Sequence, residues 1–352
     1  MKIQSLELKN FMLFDSFKST WSPHVNVICG NNNTGKTALL KVLYATTKAT
    51  SEVHEGTQAA YDAAFSERLR GVFRPDNAKI GRLCGRSRGN KAMTSVIVDY
   101  ESGVRSEYAF STRSENHVTI CDVPASNAID STPVYIPPKE IISATENFGA
   151  LYDQYHIAFE ETYYDLTRLL ERPLKKGPNS IEQNNVLSKF EEIVGGKVVS
   201  ADRKFFLKVK GEGSFEMGLV SEGYRKLSTL MYLILAGCLD KGSILFWDEP
   251  ETNLNPKMIK PVCEAIVELA NAGVQVFITT HDYFVQQAFN MVASYPKANS
   301  GNISIQFSSL YREDGTIKHE TASQLLDLDH NLVMEEFDAV YDREQELLDD
   351  DN

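Results

Sequence analysis

The residues best placed to do chemistry lie between Val25 and Thr37, in the run VNVICGNNNTGKT. Gly30, Gly35, Lys36 and Thr37 fit the spacing G-x-x-x-x-G-K-[ST]. At that spacing the glycines let backbone N–H groups converge on phosphate oxygens, the lysine reaches the outer phosphates, and the threonine hydroxyl can ligate Mg2+. Asn31, Asn32, Asn33 and Thr34 fill the loop. Ala38 leads on into a helix whose positive end faces the same anion. Two later stretches add acid–base groups. Ile244–Trp247 is apolar and delivers Asp248 and Glu249 at its end, where Asp248 can hold the Mg2+ shell and Glu249 can polarise a water as general base. Val274–Thr279 repeats the design and ends in Thr280-His281, where His281 can touch a γ-phosphate or help position the water. Ser221-Glu222-Gly223 opens a further helix. It offers an N-cap serine and a second anion site, for a γ-phosphate held by another subunit.

These groups need strands that end together. Val25–Cys29, Ser243–Trp247 and Val274–Thr279 are near-continuous apolar runs, suited to strands buried on both faces. Helical patterns over 36–49, 227–239, 256–270 and 282–293 alternate with them, which predicts a parallel sheet with helices packed on it. Residues 1–29 read as further strands. Thr94–Tyr100, Glu107–Ser111 and Val118–Cys121 read as an antiparallel meander. Phe148–Leu170 and Ile181–Val194 read as two helices around the Lys175–Asn179 break, an inserted helical hairpin. Phe205–Lys210 pairs with 214–220 across a glycine turn, Ile303–Tyr311 and Thr316–His319 form a closing hairpin, and Leu332–Leu348 is an acidic helix. The predicted organisation is 1–145 and 197–322 as two parts of one α/β unit, 146–196 as an insertion, and 323–352 as an acidic tail.

At 352 residues the chain can bury a large core. No apolar run approaches the roughly 18 residues of a membrane span, and the start lacks a signal-peptide core, so a cytoplasmic location without membrane partners is expected. The five cysteines are scattered without a C-x-x-C pair, which favours buried thiols over disulfides or zinc. The net charge of −12 argues against a chain coated in nucleic acid, yet Arg68–Lys91 is strongly basic and could track a phosphate backbone. Asp327–Asp351 holds eleven acids against Arg343 alone. Two such segments suggest contacts with other subunits or partners.

With these motifs in place, the chain resembles the ABC-type P-loop ATPases of the SMC/Rad50, RecF and OLD (overcoming lysogenization defect, AAA15) group. The resemblance rests on Leu6-Lys9-Asn10-Phe11, Gly30–Thr37 with Asn32 inside the loop, Ser221-Glu222-Gly223, Asp248–Pro256 and Thr280-His281. It implies an α/β head with an N-terminal antiparallel portion, and ATP with Mg2+ sandwiched between two heads in a dimer or higher homo-oligomer. Each signature, here Ser221-Glu222-Gly223, would close the other head's loop. The usual Q-loop glutamine is absent. Glu140, after Pro137-Pro138-Lys139, stands near its place as a candidate for the metal-facing role. The insertion is too short for an SMC coiled coil. Only about 70 residues follow His281, so no Toprim-like nuclease domain is expected. The resemblance implies an ATPase switch subunit controlling a separate effector, a nuclease or toxin, as in bacterial anti-phage systems. The alternative is a RecF-like DNA repair ATPase. A transporter motor is disfavoured because the signature lacks Leu-Ser-Gly-Gly-Gln.

Overall fold

The computed structural model describes residues 2–53, 56–85, 93–122, 132–155, 157–299 and 301–350. The chain opens with β1 (Ile3–Phe11), β2 (Phe14–Thr20) and β3 (Val25–Gly30), then α1 (Lys36–Glu52) and α2 (Gln58–Phe73). A meander of β4 (Met93–Tyr100), β5 (Arg105–Ser111) and β6 (Thr119–Asp122) leads to the short β7 (Val134–Ile136). Three helices follow, α3 (Phe148–Tyr155), α4 (Glu161–Leu170) and α5 (Ile181–Val194), then β8 (Gly196–Ala201), β9 (Lys204–Val209) and β10 (Gly213–Glu216). The remainder is α6 (Glu222–Leu235), β11 (Ile244–Asp248), α7 (Pro256–Asn271), β12 (Gln275–Thr280), α8 (Tyr283–Ser294), β13 (Ile305–Glu313), β14 (Thr316–Ala322) and α9 (Leu332–Asp350).

The central sheet runs β14-β13-β3-β12-β11-β7, parallel throughout except for β14 at the edge. It draws strands from both ends of the chain. Every residue of β3, β11 and β12 is buried, as their unbroken apolar runs predict. Because side chains alternate along a strand, these runs feed two cores. Val27, Leu245, Trp247, Val276 and Ile278 join the helices α4 to α8 on one face. Ile28, Phe246 and Phe277 join α1, α2 and the antiparallel sheet β2-β1-β4-β5-β6 on the other. The buried Gln275 stitches the two sheets, accepting from Ile3 N (2.7 Å) and donating to Ile3 O and Ser22 O (both 2.8 Å).

Three features differ from the sequence reading. The expected helix over 148–170 is broken between Tyr155 and Glu161. There Phe159 folds back edge-on to Phe148 (5.2 Å), so the insertion carries three helices rather than a hairpin. The glycine-turn hairpin gains a third strand, β8, which pairs with β9. The closing hairpin enters the central sheet, with β13 parallel to β3.

The insertion is held to α1 and α2 by a buried charge cluster. Arg68 bonds Glu52 (2.6 Å), Glu161 (2.8 Å) and Asp165 (3.2 Å), and Tyr44 donates to Asp165 (2.6 Å). Gly71 lies close beside it, where a Cβ would displace the Glu161 carboxylate. Burial pushes the Glu161 carboxyl up to about 8 against the pull of Arg68. One guanidinium faces three acids. The folded value of Glu161 lies above its ordinary 4.5, so the stability it contributes is complete below pH 4.5 and is lost as pH rises through about 8. Thermal melts across that window are therefore expected to show a falling midpoint that Glu161→Gln flattens. An unchanged slope in the variant would show that Glu161 is not the proton carrier.

The same cluster changes the reading of the basic stretch. Arg68 is bound inside the fold, Lys79 pairs with Glu115 (2.8 Å), and Arg82 pairs with Asp76 (3.1 Å). These pairs lower the charge the segment presents to a phosphate backbone. Arg86, Arg88 and Lys91 lie outside the described residues. Cys29, Cys84, Cys238 and Cys263 are buried free thiols and Cys121 is an exposed one.

Candidate nucleotide site

Parallel pairing in the order β3-β12-β11 sets Cys29 beside Thr280 and Asp248 beside Thr279. The loop after β3, the acids after β11 and the histidine after β12 are thereby gathered at one sheet end, where open α/β folds place ligands. Gly35 makes the turn into α1 with φ 94°, a left-handed value that favours glycine, and the Phe14 ring leaves no room for a Cβ there. Gly30, at φ 142°, lies against the Leu310 carbonyl with similar closeness.

Lys36 is 6% exposed, and its ammonium donates to Gly30 O (2.7 Å) and Asn31 O (3.0 Å) across the loop. Burial lowers its pKa, while Glu249 and Asp248 hold it up. The Thr37 hydroxyl donates to Asp248 Oδ1 at 3.1 Å. Asp248 is fully buried and also accepts from the Thr279 and Tyr135 hydroxyls. Burial raises its pKa, and these three hydroxyls oppose the rise. Among the described residues no three His, Cys, Asp or Glu side chains make a ready metal cage. A threonine hydroxyl next to one carboxylate nonetheless fits Mg2+, which takes few protein ligands and fills its octahedron with phosphate and water.

Glu249 sits at φ 48°, a conformation costing about 1 kcal/mol for a non-glycine residue. It is held there from several sides. Its N–H donates to Thr279 O (3.2 Å) and Thr279 Oγ1 (3.1 Å), and its carbonyl accepts from Lys226 (3.2 Å). Its carboxylate lies 3.2 Å from His281 Nδ1. Glu251, buried below, accepts from Thr280 Oγ1 (2.7 Å) and His281 N (3.2 Å). Burial raises its carboxyl pKa and those donors lower it.

Two adjoining clefts open here. One, of 350 Å³, is lined by Asn32, Asn33, Thr34, Gly35, Lys36, Thr37, Ala38 and Glu249, and at its apolar end by Met12, Leu13 and Phe73. The other, of 420 Å³, brings Thr37, Asp248 and Glu249 together with Tyr135, Lys41 and Glu160. A wider cavity of 640 Å³, walled by Arg168, Arg172, Arg203 and Phe205 among others, includes none of the strand-end residues.

Glu140 does not serve as read from the sequence. Its carboxylate accepts from Ser143 Oγ (2.7 Å) and pairs with Arg225 (3.1 Å), which fixes it to α6 and leaves it out of both cleft linings. A further acid beside Thr37, Asp248 and Glu249 in the second cleft is Glu160, paired with Lys41 at 2.6 Å. Ser221, Glu222 and Gly223 are also absent from both linings. Ser221 occupies the N-cap of α6, is exposed, and makes no cap hydrogen bond, although such a bond is worth about 1 kcal/mol.

Sequence reasoning also missed Tyr135, Thr279, Glu251, Lys226 and the Met12-Leu13-Phe73 surface. Lys226 did leave a signal, since it falls on the stripe of Gly223, Leu227 and Leu230 that faces the core.

A family model described as AAA ATPase domain matches residues 1–185. A second, described as AAA domain, putative AbiEii toxin, Type IV TA system, matches residues 129–285. Among curated proteins, the glutamate/aspartate import ATP-binding protein GltL of Escherichia coli K12 is 41% identical over 56 residues, 16% of this chain and 23% of GltL. Its counterpart in E. coli O157:H7 matches equally. The chain thus spans less than a quarter of the length of these relatives. The solved structure of the SmcHead bound to the C-winged helix domain of ScpA superposes with a TM-score of 0.59 at 14% identity, covering 93% of this chain and 99% of that one. The Smc head domain with an extended coiled coil, bound to the C-terminal domain of ScpA derived from Pyrococcus furiosus, gives 0.54 at 12% identity, covering 98% and 99%.

Proposed function

We propose that this chain, which belongs to the AAA ATPase domain family and hydrolyses ATP on an ABC-type head of the SMC/Rad50 kind, is a switch subunit. Two copies close head to head on ATP, reopen after hydrolysis, and so control a separately encoded nuclease or toxin in bacterial anti-phage defence. The second family match, with its AbiEii toxin description, supports the defence setting. The single observation that carries the switch is the division of the site. The loop, Asp248, Glu249 and His281 converge at one sheet end, while Ser221 stays apart with its hydroxyl unengaged by any cap bond. A second copy is the simplest way to bring it to the γ-phosphate.

In this reading the backbone from Gly30 to Ala38 cradles the phosphates and Lys36 neutralises the β- and γ-phosphates. Thr37 and Asp248 hold Mg2+, which supplies further neutralisation. Glu249 takes the proton of the attacking water, and His281, whose Nδ1 lies 3.2 Å from the Glu249 carboxylate, orients that water toward the γ-phosphate. The adenine lies against Met12, Leu13 and Phe73. Among the described residues no helix is long and apolar enough to cross a membrane, which fits action in the cytoplasm.

Native mass measurement of the tagged chain, recovered from its host with and without a non-hydrolysable ATP analogue, tests this. The expected result is a doubled or higher multiple of the 39.5 kDa mass only with the analogue, and a retained nuclease or toxin polypeptide whose amount follows it. A monomer under both conditions would contradict the switch. An assembly that forms without any effector would contradict its proposed output.

A further inference from the structure

Lys226, one turn and a half into α6, is 1% exposed. Burying an ammonium costs several kcal/mol unless partners compensate, so its surroundings matter. Its Nζ donates to the main-chain carbonyl of Glu249 at 3.2 Å, at the residue held with φ 48°. Burial lowers its pKa to about 8, against the opposing pull of Glu251, Glu222, Glu249 and Asp248 in that order of influence. Glu251, the strongest of these, anchors Thr280 and His281 through Oε1, while its Oε2 is buried with no hydrogen-bond partner.

A second observation is independent of charge. Gly223, one turn earlier on the same face of α6, is buried against the loop that follows β11. A Cβ there would come within 2.9 Å of Asn253 O and 3.0 Å of Leu254 Cδ2. The start of α6 thus packs closely on the segment 249–254, where Gly223 leaves room for the Asn253 carbonyl and the Leu254 side chain.

We propose that Lys226 is a positioning residue: it fixes the backbone of Glu249 from the first turns of α6, so that the helix end bearing Ser221 and the base of the same chain's own site move as one body. Taken with the proposed contact of Ser221 in a neighbour's site, on which this part rests, the pair Lys226 and Gly223 reports occupancy of that site to Glu249.

The test measures ATP turnover, binding of a fluorescent ATP analogue, and thermal melting for Lys226→Met, Lys226→Arg, Ser221→Ala and the double variant Lys226→Met/Ser221→Ala. Lys226→Met is expected to lower kcat by about tenfold or more while the analogue's Kd stays within about twofold, with part of the turnover restored in Lys226→Arg. The double variant is expected to lose no more than the worse single one, because both changes act through α6. A folded Lys226→Met with wild-type kcat, or losses that multiply in the double variant, would overturn the proposal. If Lys226→Met melts at the assay temperature, Lys226→Gln carries the comparison with an expected loss of about threefold, and unchanged turnover there overturns it equally. A silent Ser221→Ala beside an impaired Lys226→Met would remove the role of Ser221 across the interface and leave the hold of Lys226 on Glu249 standing.

Discussion

Lys36→Ala is expected to weaken ATP binding by about 100-fold or more, corresponding to about 2.7 kcal/mol. The lysine is the cation folded directly over the loop, bonded to Gly30 O and Asn31 O. Both acids at the strand ends, Asp248 and Glu249, act on it electrostatically. Truncation removes a charge-assisted contact and leaves those two carboxylates facing an incoming triphosphate with no buried counter-charge in the loop. Removing one partner of a buried hydrogen-bonded charge pair typically costs 2 to about 5 kcal/mol, so the loss exceeds anything the remaining backbone donors can offset. The fold should survive, because the bonds Lys36 makes are to the loop carbonyls of Gly30 and Asn31 rather than to a core side chain. Titration of a fluorescent ATP analogue, with a thermal melt as control, measures this. Unchanged affinity in a folded variant would remove the loop from nucleotide binding.

Glu249→Gln is expected to behave differently. Binding should persist, since the carboxylate makes no bond to the loop, but kcat should fall by about 10²- to 10³-fold, the usual contribution of a positioned general base. Glutamine keeps the length of the side chain yet cannot take a proton. The backbone that holds residue 249 at φ 48° is bonded through its N–H and carbonyl, so the substitution leaves that conformation intact. ATP should therefore accumulate in the closed assembly. Single-turnover hydrolysis together with native mass reads both effects. Normal turnover would place the base elsewhere, and Glu251, buried and raised in pKa, would be the next acid to examine.

The parts of this site that could be read from the sequence are those where chemistry and local structure coincide in a short stretch. Val25–Thr37 is one strand, one loop and one helix start, and Asp248 follows four apolar residues that suit a buried strand. What escaped was set by pairing between distant strands. Tyr135 and Thr279 reach Asp248 only because β7 and β12 flank β11. Glu140 looked free beside two prolines, yet Arg225 from α6 captures it. Arg68 looked like part of a basic surface until α4 brought Glu161 and Asp165 to it. The single helix expected over 148–170 failed for a related reason. Its apolar spacing is helical throughout, but the chain leaves the helix after Tyr155 and sets the Phe159 ring edge-on to Phe148. That break also turns Glu160 toward Lys41 and the cleft.

The most direct measurement mixes two impaired proteins, Lys36→Ala and Ser221→Ala, and records ATP turnover. If a second copy completes each site, a mixed pair holds one intact site, made of the Ser221→Ala chain's loop and the Lys36→Ala chain's serine. Random pairing then restores about a quarter of wild-type turnover. No recovery at any ratio, with both proteins shown to associate, would contradict a shared site.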